Sequence, residues 1–189
     1  TGLAAAIAAL AGEDGPEIVG VCAGMQMLGR ELKDPHGLES GLGGVPGLGL
    51  LDLSTVLLPE KTLLQTGARH LPTGLALHGY EIHHGETALL SPPGSGERPC
   101  PVLVERADGS AVGWGRAGRV WGTYLHGVFD APGFRRAWLN GLRAQKGLPP
   151  LDAAPDAQQD TALDAALDRL ADTVERNLDM RAVLSLIGL

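Results

Sequence analysis

No apolar run in the 189-residue sequence approaches the roughly 20 residues that a helix needs to cross a bilayer. The first residues lack the basic start and cleavage site of a secretory signal, which sets the expectation of a cytoplasmic protein with no membrane partner. Cysteine is scarce too. Cys22 and Cys100 alone make no disulfide framework, so two free thiols are expected. There is no long basic run, and a formal net charge of -7 argues against nucleic acid as a partner. Internal repeats and a phosphate-binding P-loop are also missing. What remains is ordinary globular usage, 44% hydrophobic and 20% charged, which excludes a disordered or fibrous chain.

Along the chain, residues 1–10 read as an alanine-rich helix, broken by Gly12, Gly15 and Pro16 before the apolar strand Ile18-Val19-Gly20-Val21. Small residues after the strand permit a sharp reversal at Cys22, and a helix is expected over residues 25–32. Residues 33–49 are rich in Gly and Pro and read as irregular. Strands are expected over 50–58, 75–83 and 102–104, and in pieces over 112–125, with a loop at 92–101. Residues 134–142 read as a helix and 147–159 as a linker. Leu163, Leu167, Leu170, Val174 and Leu178 then recur every three or four residues, an apolar stripe on a last helix. This divides the chain into a domain over 1–149 and a linker with a C-terminal helix over 150–189, expected to pack on the same domain.

A lone cysteine at a strand end is ordinarily a small buried apolar residue. Cys22 has more around it. A turn into a helix offers unpaired N–H groups that favour a thiolate, and the Ala23 N–H would face an oxyanion formed by attack on a carbonyl. Such chemistry needs a base that later protonates a departing amine, and histidine serves both steps near neutral pH. His126 is the candidate, at the end of a strand and followed by Gly127. His83 and His84 are adjacent on a strand and point to opposite faces, so they do not share a metal ion, and none is expected. Cys100, between two prolines, has neither a helix start nor a base nearby.

The segments Gly20-Val21-Cys22-Ala23-Gly24-Met25-Gln26-Met27-Leu28-Gly29, Asp34-Pro35-His36-Gly37-Leu38-Glu39, Gly47-Leu48-Gly49-Leu50-Leu51, Gly79-Tyr80-Glu81-Ile82-His83 and Gly122-Thr123-Tyr124-Leu125-His126-Gly127 occur in that order. Together they resemble the class I glutamine amidotransferase domain of cobyric acid synthases, and residues 170–180 resemble that family's C-terminal helix. The resemblance implies a flavodoxin-like open α/β sheet with its nucleophile beyond a strand's carboxyl end. It also implies release of ammonia from glutamine by Cys22 and His126, with Ala23 in the oxyanion hole. Gln26 would help hold the substrate, and Gly79 and Tyr80 would line its site through backbone contacts.

The implied partners are glutamine, an N-terminal synthetase domain of the same protein, and a corrin that this domain binds. ATP and Mg would act there, leaving no cofactor to this chain. The ammonia would amidate adenosylcobyrinic acid a,c-diamide in cobalamin biosynthesis. Two departures stand out. A complete domain of this family would supply a further strand and a proline-glycine loop before residue 1, carrying the second oxyanion donor, so weak activity is expected of this chain alone. The acid of the usual amidotransferase triad, two residues after the histidine, is replaced by Val128, which agrees with the Cys-His pair without that acid that the resemblance to cobyric acid synthases implies; Glu81 is a candidate orienter of His126. Two other readings stay open: the amidotransferase domain of cobyrinic acid a,c-diamide synthase, and a noncatalytic interaction module.

Overall fold

In the computed structural model, the alanine-rich opening forms α1 (Leu3–Leu10) and the apolar run behind Pro16 forms β1 (Ile18–Val21). The structure describes residues 2–12, 15–91, 100–152, 158–186 and 188, so 92–99 of the expected loop and 153–157 of the expected linker lie outside the described residues. Two units divide the chain, Thr1–Asp152 and Ala153–Leu189.

The helix expected over residues 25–32 is cut short. α2 (Ala23–Leu28) stops at Gly29, and Glu31–Lys33 is a strand, β2. The cause is tertiary. Gly29 lies so close to the sheet that a Cβ on it would come 2.8 Å from the Leu53 carbonyl oxygen, and the next N–H, of Arg30, donates to that oxygen at 2.8 Å. The chain is thereby drawn into the sheet edge, between β3 (Gly44–Pro46) and β4 (Leu53–His70).

β4 is twice the strand expected from residues 50–58, because it continues through Pro59 to His70 and pairs with β5 (Leu75–Leu89) as a long hairpin. The register shifts between Val56 and Lys61, so Pro59 sits where the ladder is interrupted and its missing N–H forfeits no bond. β6 (Val102–Arg106), β7 (Ala111–Arg116) and β8 (Val120–Thr123) complete a mixed sheet ordered β1-β8-β7-β6-β4-β2-β3, with β5 on β4. The fold is thus a mixed α/β fold around a central sheet. Its parallel pairs are β1–β8 and β2–β4, and the other pairs are antiparallel.

One apolar cluster joins Leu77, Val104, Trp121, Leu125, Val128 and Phe134, and a second joins Met25, Leu28, Leu53, Trp114 and Tyr124. α3 (Pro132–Gln145) contributes Phe134 to the first. The Glu17 carboxylate fastens this helix to β8, accepting from the indoles of Trp121 at 2.6 Å and Trp138 at 2.9 Å and from the Gly118 N–H at 2.9 Å. The second unit holds α4 (Gln158–Asn177) and α5 (Met180–Leu186). Leu167, Leu170 and Val174 follow the helical spacing along α4, and Leu178 lies just beyond its end. Of the expected stripe, the side chain of Leu163 falls outside those described.

Candidate active site

Cys22 stands where β1 turns into α2, with φ 54° and ψ -118°, and it has the one positive φ outside glycine among the described residues. A non-glycine residue holds such a backbone only where its surroundings enforce it. Here its N–H donates to the Thr123 carbonyl at 2.8 Å, and its carbonyl accepts from Met25 at 2.9 Å and Gln26 at 3.3 Å. Gly20 makes the turn sterically feasible: a Cβ there would come 2.6 Å from the Gly24 backbone. The thiol reaches the Ile82 carbonyl in β5 at 3.5 Å. The Ala23 N–H, first of the helix, lacks an intrahelical acceptor.

β1 and β8 are parallel neighbours, with Val21 opposite Thr123. Cys22 and His126 therefore both leave the sheet at the carboxyl end of adjacent strands, where open α/β sheets place their sites. His126 is fixed by a two-bond antiparallel bridge to Tyr80, with N–H to carbonyl distances of 2.8 and 3.2 Å. The two rings stack at 4.9 Å with 6° between their planes. Gly79 is required beside this bridge, since a Cβ on it would fall 1.9 Å from the His126 carbonyl oxygen. His126 Nε2 is buried with no hydrogen-bond partner among the described residues.

Two sequence expectations change in this light. Tyr80 was expected to offer its backbone to glutamine, but its N–H and carbonyl are both engaged by His126. Glu81 does not orient His126. Alternation along β5 turns it to the opposite face from Tyr80, where it is buried and its carboxylate meets His83 Nε2 at 3.2 Å and Arg106 at 3.3 Å. Gly79 is held in the β4–β5 ladder opposite Thr66. Gln26 is buried, and both hydrogens of its amide donate within the protein, to the His84 carbonyl at 3.0 Å and the Tyr124 hydroxyl at 3.1 Å. It braces the elbow against β5 and β8, leaving only its Oε1 for a substrate.

Tyr124 is the hub that sequence reasoning passed over. Its hydroxyl also meets Thr87 at 2.6 Å, its ring stacks on His83 at 3.6 Å, and burial pushes its pKa up, so it stays a neutral donor. Arg106, Thr87 and Tyr124 are brought together only by the sheet, and no local spacing announced them. The Asp34 segment is structural: its carboxylate accepts the N–H groups of Ser40, Glu39 and Leu38 at 2.9, 2.9 and 2.8 Å, which hold its pKa below the ordinary value. Burial raises the pKa of Cys100, which is a poor nucleophile for that reason. His84 Nδ1 lies 2.9 Å from the Leu58 carbonyl, apart from the pairing of His83 with Glu81. Among the described residues no three His, Cys, Asp or Glu side chains are grouped to hold a metal ion, and no helix is long and apolar enough to cross a membrane.

Residues 1–134 match the family model of the CobB/CobQ-like glutamine amidotransferase domain. A cobyric acid synthase of Nitratidesulfovibrio vulgaris is 42% identical over 221 residues, covering 100% of this chain and 39% of that protein. The adenosylcobalamin biosynthesis bifunctional protein CobDQ of Leptospira interrogans is 38% identical over 189 residues, covering 100% of this chain and 21% of that protein. The chain therefore spans less than two fifths of the length of these relatives. A crystal structure of a glutamine amidotransferase superposes with a TM-score of 0.49 at 17% identity, covering 74% of this chain and 68% of that one.

Proposed function

Because this chain belongs to the CobB/CobQ-like glutamine amidotransferase domain family, we propose that Cys22 and His126 release ammonia from glutamine. The observation that carries the assignment is the strained Cys22 elbow at the carboxyl end of β1, beside the parallel strand that ends three residues before the bridged His126. Cys22 Sγ bonds to the side-chain carbonyl carbon of glutamine as His126 takes the thiol proton. The Ala23 N–H donates to the oxyanion, an interaction of a kind whose removal costs about 10²- to 10³-fold in turnover. His126 returns the proton to nitrogen as the C–N bond breaks and ammonia leaves. Water, deprotonated by the same imidazole, then cleaves the thioester, releasing glutamate and restoring the thiol.

The relatives named cobyric acid synthase support a destination for the ammonia: amidation of side-chain carboxylates on adenosylcobyrinic acid a,c-diamide by a synthetase part of the same protein. ATP and Mg act in that part. No residue of this chain is assigned to either. In the protein that carries this chain, Cys22→Ala and His126→Ala should each abolish glutamine-dependent amidation while amidation from added ammonia persists. Glutamine-dependent turnover that survives either substitution would refute the assignment.

A further inference from the structure

We infer that the ring of Tyr80 is the group that orients His126, in the place where a carboxylate would hold the imidazole of a Cys-His-acid triad. The inference rests on the amidotransferase reading and assigns a positioning residue to it. The register dictates the contact. Residues that exchange both N–H to carbonyl bonds across an antiparallel bridge put their side chains side by side on one face, and Tyr80 and His126 are such a pair. The outcome is a stack at 4.9 Å and 6°, which fixes the plane of the imidazole as well as its position.

The acids nearby are otherwise disposed. Val128 occupies the triad acid's position and is 1% exposed within the apolar cluster of Leu77, Leu125 and Phe134. Glu81 belongs to His83 and Arg106 on the far face of β5. Asp130 is exposed in the turn behind Gly127, near that glycine's backbone, and makes no hydrogen bond or ion pair with the His126 ring. Cys22, whose thiol reaches the Ile82 carbonyl at 3.5 Å, is the reaction partner.

Tyr80 is 47% exposed, and its hydroxyl has no hydrogen bond among the described residues. The ring face, then, is what acts, and the hydroxyl is dispensable. The backbone bridge survives a change of side chain, so removing the ring frees the imidazole to rotate without moving its Cα. A reacting group displaced by about 1 Å costs on the order of 10²-fold in rate.

The test measures glutamine hydrolysis by the protein that carries this chain, as wild type and as Tyr80→Leu, Tyr80→Phe, Tyr80→Trp and Cys22→Ala. Tyr80→Leu should lower kcat about 10- to 100-fold with little change in KM, because the imidazole acts after binding. Tyr80→Phe and Tyr80→Trp, which keep a ring face, should restore most of the lost turnover. Since the side chain is half exposed, all three should retain the wild-type unfolding temperature closely. If Cys22→Ala is inactive while Tyr80→Leu turns over like wild type, the positioning role is wrong and the nucleophile stands. The role is equally wrong if Phe and Trp lose as much as Leu, or if the loss falls on KM alone. Hydrolysis that persists in Cys22→Ala would overturn the underlying reading instead.

Discussion

Placing a glutamate at position 128 would rebuild, on paper, the acid two residues beyond the histidine. The structure says that Val128→Glu breaks the protein's core and repairs nothing. Val128 is 1% exposed and packs with Leu77, Leu103, Leu125, Ala131 and Phe134. Removing its buried surface costs about 1.5 kcal/mol, and a carboxyl left there without a partner costs about 1–3 kcal/mol more even when it is protonated. The sum, on the order of 3–4 kcal/mol, is a large share of a typical domain's stability and lowers the unfolding temperature by about 10 °C at this size. A carboxyl in that cluster has its folded pKa raised above its unfolded value of about 4.3. The deficit is therefore smallest below that pH and widens as pH rises through it. Thermal unfolding followed by circular dichroism at several pH values, with glutamine hydrolysis assayed well below the transition, measures both effects. A variant as stable as wild type at neutral pH, or one with raised turnover, would mean that position 128 faces the imidazole after all.

Gly79→Ala should cost about 10²-fold in turnover, because the added Cβ falls 1.9 Å from the His126 carbonyl oxygen and forces the bridge apart. Turnover near wild type in a folded variant would show that the bridge does not position the histidine. Asp34→Asn should lower the unfolding temperature at neutral pH. The N–H bonds from Ser40, Glu39 and Leu38 hold the folded pKa of Asp34 below its ordinary 3.8, so the stability they confer is present above that pH and is lost as pH falls through the folded value. The gap between wild type and variant should close on acidification, and a gap constant with pH would contradict the assignment.

The sequence by itself determined the elements whose cause is local. An apolar run, a small-residue turn and the start of a helix are written contiguously from residue 18, so the elbow at Cys22 was legible, though not where the helix ends, and so was His126 just beyond a strand. The helices expected over 1–10 and 134–142 are found at 3–10 and 132–145, within a few residues of where Gly and Pro breaks placed them. Only the tertiary structure decided what depends on distant partners. β2 exists because the Leu53 carbonyl and β3 capture the chain after Gly29, and β4 crosses Pro59 because a register shift leaves that N–H unneeded. Strand alternation, which can be read from the sequence, separates Tyr80 from Glu81. Which face meets His126 was fixed by a bridge across 46 positions, and it gave the imidazole to the tyrosine and the carboxylate to His83 and Arg106. The amide of Gln26 was likewise committed by Tyr124 and the His84 carbonyl, groups that meet it only when β5 and β8 close over α2.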